Sequence, residues 1–407
     1  MFPCRALLVV LALYLLAVAA SPVHRTPGGI SKVTLNFVAR LNATGISNIA
    51  DADRIRIKSM REKTVSPRKR DASVSVTNSV VLYVAQVGIG SPPTEYTLLV
   101  DTGSSNTWVG ANQPYTPTST SHYTGNTVSV SYGSGNFSGG EYIDAVSLGN
   151  GLIINQQSIG VATRSQGLSG TGIDGILGLG PADLTQGTVS NTNTVPTVVD
   201  NLYSQGTISS AVLGVYFIPA SNSNSGELTF GGYDPSVVTG TVNYTPITNT
   251  YSSAFFWGID QSITYGGKTI LPSTAGIVDT GTTLILIATD AFQTYQSATG
   301  GIMDNATGLL RITQSQYNNL QTLSFHIGAQ TYDLIPNAQI WPRSLNTAIG
   351  GSSGSIYLVV GDIGAPSGSG MDFANGYAFL ERYYSIYDTT SARVGFAATK
   401  YTDSESN

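Results

Sequence analysis

The hexapeptide Val100-Asp101-Thr102-Gly103-Ser104-Ser105 returns later in the chain as Val278-Asp279-Thr280-Gly281-Thr282-Thr283. The two copies are 178 residues apart, which is about the length of one domain. Apolar residues lead into each copy and follow it. A repeat at this spacing predicts two similar halves, each with an apolar strand that ends in an aspartate.

The residues of the repeated motif suit a pair of reactive carboxylates. Asp101 and Asp279 are the candidate reactive groups, and Ser104 and Thr282 follow them as neighbouring hydroxyl donors. The threonine of each triplet can bond backbone groups in a tight turn, and the glycine allows an approach that a side chain would block. An aspartate in a glycine-rich turn is often only a turn former. The duplication argues against that interpretation, because a simple turn gives no reason for a second copy.

Composition and pattern predict an all-β or β-dominated fold with a few short helices. Glycine accounts for 46 of the 407 residues, well above the usual share of about 7%. Short β-branched and aromatic runs between Gly, Ser, Asn and Pro clusters predict strands over 80–87, 96–100, 128–132, 153–161 and 212–218. Helical spacing occurs over 196–205 and 289–298, and a capping box of Thr313 and Gln316 predicts a third helix near Leu320.

Further stretches, in order along the chain, carry a resemblance to a known family. They are 83–93, Ser105-Asn106-Thr107-Trp108-Val109, Ser131-Tyr132-Gly133-Ser134-Gly135, 174–180 and 379–396. Together with the two Asp-Thr-Gly triplets, they resemble the pepsin-like aspartic proteases across essentially all of the chain after residue 70. One such triplet alone is a weak signal, whereas two at this spacing with these flanking stretches are specific.

The resemblance implies a bilobal fold of two similar β-barrel-like lobes with the active site between them. It also implies an endopeptidase in which Asp101 and Asp279 share one proton and activate a water molecule, so that no metal and no cofactor is required. Ser104 and Thr282 would hydrogen-bond the carboxylates. The full supporting set would be Thr102, Gly103, Ser104, Thr280, Gly281 and Thr282, with the threonines at 102 and 280 cross-linking the two loops.

The resemblance also assigns a flap hairpin that closes over the substrate. Tyr132 would cover the cleft, Gly133 and Ser134 would offer polar groups to the substrate backbone, and Trp108 would hold the Tyr132 hydroxyl. Tyr132 also fits an ordinary hairpin aromatic, and Ile176, which would line the substrate pocket, also fits a core residue. Relatives with an acidic residue at the position of Ser134 accept lysine next to the cut, so serine predicts a preference for hydrophobic and aromatic residues.

Two features depart from the family pattern. Cys4 is the only cysteine in the chain, so no disulfide supports the segment after residue 70. The second-half counterpart of Ile176-Leu177-Gly178 is Ala374-Asn375-Gly376. Asn375 puts a polar side chain where an apolar one is usual, so the sequence leaves open how the packing behind Asp279 is completed.

Charge divides the chain at residue 70. Residues 1–70 hold 12 of the 19 lysines and arginines and 3 of the 24 acidic residues, a net charge of +9, whereas residues 71–407 sum to −14. This acidic body argues against binding to nucleic acid, which requires clustered basic side chains. One cysteine and three histidines also leave too few ligands for a thiolate or multi-histidine metal site.

The first 70 residues show marks of targeting and processing. An apolar run after Arg5 ends in Val18-Ala19-Ala20-Ser21, which predicts a cleaved signal peptide over 1–20 and a secreted protein. A membrane anchor needs a longer run, and no later stretch reaches the roughly 18 apolar residues of a membrane helix. The basic segment 21–70 ends in Arg68-Lys69-Arg70, which predicts a propeptide rather than a solvated linker. Beyond it we expect an N-terminal lobe over 71–245 and a C-terminal lobe over 246–407.

A basic propeptide would inhibit its own enzyme by covering the two aspartates. In the family that this chain resembles, a lysine contacts the pair before activation, and Lys58 and Lys63 are both candidates here. Acid protonates the carboxylates and weakens such a contact. We therefore expect activation to become faster as the pH falls from 7 to 3.

Three asparagines after residue 70 stand in glycosylation sequons, namely Asn136, Asn243 and Asn305. Asn136 lies on the expected flap hairpin, where a glycan would obstruct closure. Asn243 or Asn305 is therefore the expected site of glycosylation.

Two functions of other classes stay open at the level of sequence. A non-catalytic relative could act as a binding protein or inhibitor, but such proteins usually lose one aspartate or its glycine, and both triplets are intact here. A Gly- and Tyr-rich β-protein that binds carbohydrate would explain the composition, but neither the repeat nor the basic segment. We expect protein or peptide substrates, inhibition by pepstatin-type compounds, and a monomer, because both halves of the site lie on one chain.

Overall fold

The protein is represented by a computed structural model that describes residues 32–41, 48–65, 81–132, 135–168, 170–219 and 225–407. The predicted signal peptide and the Arg68-Lys69-Arg70 processing site lie outside these ranges. In the part of the chain that the structure describes, no helix has both the length and the apolar character to span a membrane.

Strands dominate the described chain, which confirms the predicted fold class. Their bounds are β1 Val33–Leu41, β2 Val81–Ile89, β3 Thr94–Asp101, β4 Thr107–Val109, β5 His122–Tyr132, β6 Gly135–Ser147, β7 Ile153–Gln166, β8 Gly175–Gly178, β9 Val212–Phe217, β10 Ser225–Phe230, β11 Asn243–Pro246, β12 Gly258–Tyr265, β13 Lys268–Val278, β14 Ile285–Ile287, β15 Ile302–Met303, β16 Leu310–Ile312, β17 Leu323–Ile327, β18 Gln330–Leu334, β19 Ile356–Tyr357, β20 Val360–Asp362, β21 Phe373–Asn375, β22 Tyr383–Asp388 and β23 Arg393–Ala398.

The helices are fewer and mostly short. They are α1 Ile49–Val65, α2 Val198–Ser204, α3 Thr289–Thr299, α4 Gln314–Tyr317 and α5 Tyr377–Leu380, with 3-10 turns at Ala182–Thr185, Ser253–Phe255, Pro336–Gln339 and Arg343–Ile349. The three helices predicted after residue 70 are present as α2, α3 and α4. The α4 helix begins at the predicted capping box, and α3 ends at Gly300, whose φ of 68° suits glycine.

Helix α1 and strand β1 were not predicted from the sequence. The buried residues of α1 are Ile49, Ala50, Ala52, Asp53, Arg56, Ile57 and Met60, and positions 49, 53, 56, 57 and 60 have the spacing of a helix that packs on one side. Two of these seven residues are charged, so they do not form a continuous apolar stripe. Charged residues on a buried face require partners, and these partners lie at the two repeated motifs described below.

The largest sheet has 13 strands in the order β11-β23-β22-β9-β10-β1-β2-β3-β8-β4-β7-β6-β5. The basic segment supplies β1, which lies between β10 and β2 and pairs antiparallel with both. Phe37 of β1 is fully buried, and its ring centroid lies 5.2 Å from that of Tyr83 and 5.3 Å from that of Phe217. This segment is therefore part of the folded core and not an appended tail.

The repeated motif of the sequence corresponds to a repeated arrangement of strands. In the first half, β3 runs parallel to β8, and β8 runs antiparallel to β4. In the second half, β13 runs parallel to β21, and β21 runs antiparallel to β14 within a seven-stranded sheet. In both halves the first of these strands delivers an aspartate at its carboxyl end. The duplication inferred from the sequence is thus a duplication of structure around each aspartate.

The packing behind Asp279, which the sequence leaves open, is intact around Asn375. Asn375 and Gln261 are both buried and form two reciprocal amide hydrogen bonds, from Asn375 Nδ2 to Gln261 Oε1 at 2.8 Å and from Gln261 Nε2 to Asn375 Oδ1 at 3.2 Å. The backbone carbonyl of Asn375 accepts the Asp279 N–H at 3.2 Å. The polar side chain is therefore satisfied by a partner on β12 that the local sequence around Asn375 does not reveal.

We predict that Asn375→Leu lowers the free energy of unfolding by about 1–3 kcal/mol, because it leaves the buried amide of Gln261 without a partner. Adding Gln261→Leu should recover part of this loss, since both polar groups are then removed together. Urea denaturation of the precursor measures both changes. Asn155→Leu is the control, because Asn155 is exposed on a strand. An Asn375→Leu protein as stable as the unaltered chain would contradict the prediction.

Candidate active site

The two repeated motifs bring Asp101 and Asp279 to one buried place, where both carboxylates are fully shielded from solvent. Each carboxylate receives the same pair of local donors. Asp101 accepts hydrogen bonds from the Gly103 N–H at 2.9 Å and the Ser104 hydroxyl at 2.6 Å. Asp279 accepts them from the Gly281 N–H at 3.0 Å and the Thr282 hydroxyl at 2.6 Å. The arrangement is symmetric because the two loops have nearly the same sequence.

Thr102 and Thr280 join the two loops to each other. Each threonine hydroxyl accepts the backbone N–H of the other threonine at 3.0 Å. Each hydroxyl also faces a carbonyl of the opposite strand, with Thr280 donating to Val100 at 3.2 Å and Thr102 donating to Val278 at 3.5 Å. These cross-links are buried, and they fix the separation and orientation of the two aspartates.

Gly103 and Gly281 stand where each loop faces the opposite carboxylate. A Cβ atom at Gly103 would lie 2.5 Å from Oδ1 of Asp279, and a Cβ atom at Gly281 would lie 2.7 Å from Oδ1 of Asp101. Both distances are too short for nonbonded atoms. The motif therefore needs glycine because any side chain would occupy the space of the partner carboxylate.

A guanidinium group from the basic segment bridges the two aspartates. Arg56 of α1 donates from Nη2 to Asp101 Oδ1 at 2.6 Å, from Nε to Asp279 Oδ2 at 2.8 Å and from Nη2 to Asp279 Oδ1 at 3.0 Å. Its side chain is 5% exposed. A planar guanidinium presents donors in a fork, so a single arginine can satisfy both carboxylates at once.

Lys58, one of the two candidate lysines, therefore does not contact the aspartates. Lys58 is 71% exposed, and its ammonium lies 4.0 Å from Glu62 on the same helix. The side chain of Lys63, the other candidate, lies outside the described residues. Helical geometry explains the outcome, since position 56 is on the same face as the buried residues 49, 53, 57 and 60, whereas position 58 points away from it.

The arginine changes the protonation of the site. Burial alone would raise the pKa of Asp279, but the charge and hydrogen bond of Arg56 outweigh this effect and, together with Thr282 and Gly281, hold its pKa below the usual value. Burial would likewise lower the pKa of Arg56, and the charges of Asp101 and Asp279 raise it instead. Arg56 therefore stays protonated, and its presence favours the ionised form of Asp279.

Tyr132 lies near the aspartates on the hairpin formed by β5 and β6. Burial first, and then the charge of Asp101, raise the pKa of Tyr132 well above the usual value, so the phenol stays neutral. Its ring stacks on that of Trp108 at a centroid distance of 6.5 Å. The indole N–H of Trp108 lowers the pKa of Tyr132 in part. Within the described residues, however, neither Trp108 Nε1 nor the Tyr132 hydroxyl forms a hydrogen bond of regular geometry.

Other predicted site residues fall in different places. Gly133 and Ser134, which follow β5 in the sequence, lie outside the described residues. Ile176 of β8 is 3% exposed and belongs to the core cluster beneath the hairpin, with Trp108. Arg56 and Met60 of α1 line, with Ser104, Tyr132 and Phe256, a residual cavity of about 20 Å³, so the helix fills most of the space beside the aspartates.

The asparagines of the three sequons differ in exposure. Asn305 is exposed in the turn between β15 and β16. Asn243 is half-buried on β11, and its Nδ2 donates to the carbonyl of Thr241 at 3.1 Å. Asn136 is half-buried on β6, and its Nδ2 donates to Gln166 at 3.0 Å.

Known proteins share both the sequence and the fold. Residues 82–399 match the family model of eukaryotic aspartyl proteases. Polyporopepsin of Irpex lacteus is 60% identical over 340 residues, which cover 82% of this chain and 99% of that protein. Rhizopuspepsin-1 of Rhizopus niveus is 37% identical over 298 residues, which cover 70% and 74%. The crystal structure of the aspartic proteinase from Irpex lacteus has a TM-score of 0.77, with 80% of this chain and 96% of that chain covered at 60% identity.

The chain therefore belongs to the eukaryotic aspartyl protease family, and it is an aspartic endopeptidase with the bilobal pepsin-like fold. This confirms the enzyme class and the fold that the sequence motifs indicated. Arg56 is the site residue that the sequence analysis missed. The spacing of residues 49–60 indicates a helix with position 56 on its inner side, but it does not indicate that the two aspartates are the partners of Arg56.

We predict that Thr282→Val raises the pKa of Asp279, because it removes a short hydrogen bond that stabilises the ionised carboxylate. The acid limb of the proteolytic pH profile should move to higher pH, so the activated enzyme loses activity several-fold on the acid side and little elsewhere. Thr283→Val is the matched control, because the Thr283 hydroxyl is buried without a partner in the described chain. An unchanged acid limb in Thr282→Val would contradict the prediction.

Proposed function

We propose that Asp101 and Asp279 form the catalytic pair of a secreted endopeptidase that works at acid pH and is made as an inactive precursor. The observation that carries the proposal is the symmetric hydrogen bonding of the two buried carboxylates, bridged by Arg56 of the basic segment. Arg56 is the cation paired with both carboxylates in the described part of the chain, so the pair loses it once the basic segment leaves. They must then share one proton, and the paired aspartates of this enzyme class are the standard example of such coupling.

The proposed mechanism uses the two protonation states of the pair. The ionised carboxylate takes a proton from a bridging water, and the water oxygen attacks the carbonyl carbon of the scissile peptide bond. The protonated carboxylate donates to the carbonyl oxygen, and a proton then passes to the leaving nitrogen as the C–N bond breaks. Ser104 and Thr282 stabilise the charge on their carboxylates, and the Thr102 and Thr280 cross-links keep the pair aligned.

The proposed precursor is inhibited by its own basic segment, residues 21–70. Three observations support this. Strand β1 belongs to the large sheet, α1 lies over the aspartates, and the Arg56 guanidinium binds both carboxylates. Docking lowers the pKa of Asp279, so docking releases a proton and is favoured at higher pH. Its contribution is lost as the pH falls through the lowered pKa, so acid favours release of the propeptide.

The remaining parts of the proposal follow from the sequence. Residues 1–20 would direct secretion, residues 71–245 and 246–407 would form the two lobes, and the enzyme would act as a monomer on protein and peptide substrates. Pepstatin-type compounds would inhibit it. The flap, with serine at position 134, would favour hydrophobic and aromatic residues at the cut. The exposure of Asn305 favours it over Asn243 as the glycosylated asparagine.

We predict that Asp279→Asn reduces hydrolysis of a denatured protein at pH 3–5 on the order of 1,000-fold, because the pair then lacks one of its two acid–base groups. The activity of the unaltered enzyme should disappear with pepstatin. Asp333→Asn serves as the control, since Asp333 is exposed on β18 and the same substitution there leaves the site intact. Proteolysis that survives Asp279→Asn would overturn the mechanism.

We also predict that Arg56→Gln activates the precursor on the order of 100-fold faster than the unaltered chain at pH 6. Removal of the arginine leaves two buried carboxylates without their cation, which costs about 3–5 kcal/mol in the docked state. The measurement is the rate at which hydrolysis of a fluorogenic peptide appears. Lys58→Gln, at an exposed position of the same helix, should leave that rate unchanged. An Arg56→Gln precursor that activates no faster than the unaltered chain would contradict inhibition through Arg56.

A further inference from the structure

A second charged residue of α1 is buried beside the active site. Asp53 is 1% exposed, and its Oδ2 accepts the backbone N–H of Thr283 at 3.0 Å and of Leu284 at 2.8 Å. Its Oδ1 is buried without a hydrogen-bond partner in the described chain. Neither the hydrogen bonding of the two aspartates nor their proposed chemistry uses this carboxylate, so its burial calls for another explanation.

Asp53 and Arg56 contact the same loop from the same face of one helix. Positions 53 and 56 are three residues apart, which places both side chains on one side of α1. Arg56 binds the Asp279 carboxylate, and Asp53 binds the amides of Thr283 and Leu284, four and five residues later along the loop. Helix α1 therefore places the Arg56 cation against the Asp279 carboxylate and the Asp53 carboxylate against the backbone N–H groups that follow it in the loop.

We propose that Asp53 is a second anchor of the propeptide on the Asp279 loop, and that its contribution to docking responds to pH in the opposite direction from that of Arg56. This inference rests on the proposed function of residues 21–70 as an inhibitory propeptide. It goes beyond that function because it assigns a role to Asp53, a buried carboxylate that forms no ion pair within the described residues.

The groups around Asp53 set the direction of the effect. Burial raises its pKa to about 7, and the Leu284 and Thr283 amides and the charge of Arg56 lower it only in part, while the charge of Asp279 raises it further. In the released propeptide the side chain is exposed to water and returns to an ordinary pKa near 3.8. Docking therefore takes up a proton at Asp53, and its contribution grows as the pH falls below 7.

The two anchors consequently offset each other in mildly acidic solution. The Arg56 contact weakens as protons bind to the aspartate pair, whereas the Asp53 contact strengthens once its carboxyl is neutral. A neutral carboxyl keeps one oxygen to accept both amides and no longer holds a buried charge. Release of the propeptide is then delayed until the aspartate pair itself is protonated. Asp53 thus shifts activation toward stronger acid than Arg56 alone would require.

The test uses two substitutions at this position in the full precursor. Asp53→Asn keeps an oxygen for both amides, places the nitrogen where Oδ1 has no partner, and removes the charge. Asp53→Ala removes the acceptor altogether. Asp51→Asn is the matched control, because Asp51 lies on the same helix and is exposed. The readouts are the activation rate after a jump to pH 3–6 and the hydrogen-exchange protection of residues 49–65 at pH 5 and pH 8.

We expect Asp53→Ala to activate at least tenfold faster than the unaltered precursor at pH 5, with loss of helix protection. Asp53→Asn should match the unaltered precursor at pH 5 within about twofold, and protect the helix several-fold better at pH 8, where the natural carboxyl is ionised. Asp51→Asn should match the unaltered precursor in activation rate at pH 5 and in helix protection at both pH 5 and pH 8. An unchanged activation rate in Asp53→Ala would overturn the role of Asp53 as an anchor. If Asp53→Asn changes helix protection, relative to the unaltered precursor, by the same factor at pH 5 and at pH 8, the proposed pH response is overturned.

Two comparisons separate this proposal from its foundation. If Arg56→Gln opens the helix and Asp53→Ala does not, the propeptide function stands and the role of Asp53 fails. If neither substitution opens it, the propeptide function fails as well. Loss of folding is excluded as an explanation by the fully activated samples. These should share one kcat/KM, because each substitution leaves with the propeptide.

Discussion

The protein depends on holding two carboxylates together in a buried place against their mutual repulsion. Asp101 and Asp279 each receive a backbone N–H and a hydroxyl from their own loop. Glycine at 103 and 281 removes the side chains that would keep the loops apart, and the threonines at 102 and 280 join them. These donors reduce the repulsion but carry no charge, so a cation or a proton must complete the neutralisation.

The precursor and the mature enzyme would meet that requirement in different ways. In the structure described here the Arg56 guanidinium bridges the pair, and the pKa of Asp279 is lowered. Without the basic segment, a shared proton takes the place of the arginine, and this proton is what acid catalysis needs. The same electrostatic demand would explain both the proposed inhibition at neutral pH and the proposed activity in acid. In our proposal Asp53, buried beside the pair, opposes the arginine and makes the transition depend on the balance of two groups.

Local patterns predicted the parts of the fold that local forces determine. The capping box at Thr313 and the short β-branched and aromatic strands were visible because turn chemistry and residue propensity act over a few positions. Helix α1 was missed because two of its buried positions are charged, and their partners lie 45 residues away at Asp101 and more than 200 residues away at the Asp279 loop. The packing around Asn375 stayed open at the level of sequence for the same reason, since its partner Gln261 is 114 residues distant.

The sequence by itself determined the enzyme class and the two aspartates, because a repeated Asp-Thr-Gly in apolar surroundings serves few other purposes. It also determined the charge contrast between residues 1–70 and the rest of the chain. Only the tertiary structure decided which cation meets the aspartates and that a third carboxylate lies beside them. The physical reason is that a buried charge is tolerated only with a suitable partner. That partner is chosen by the packing of distant segments, which no local pattern encodes.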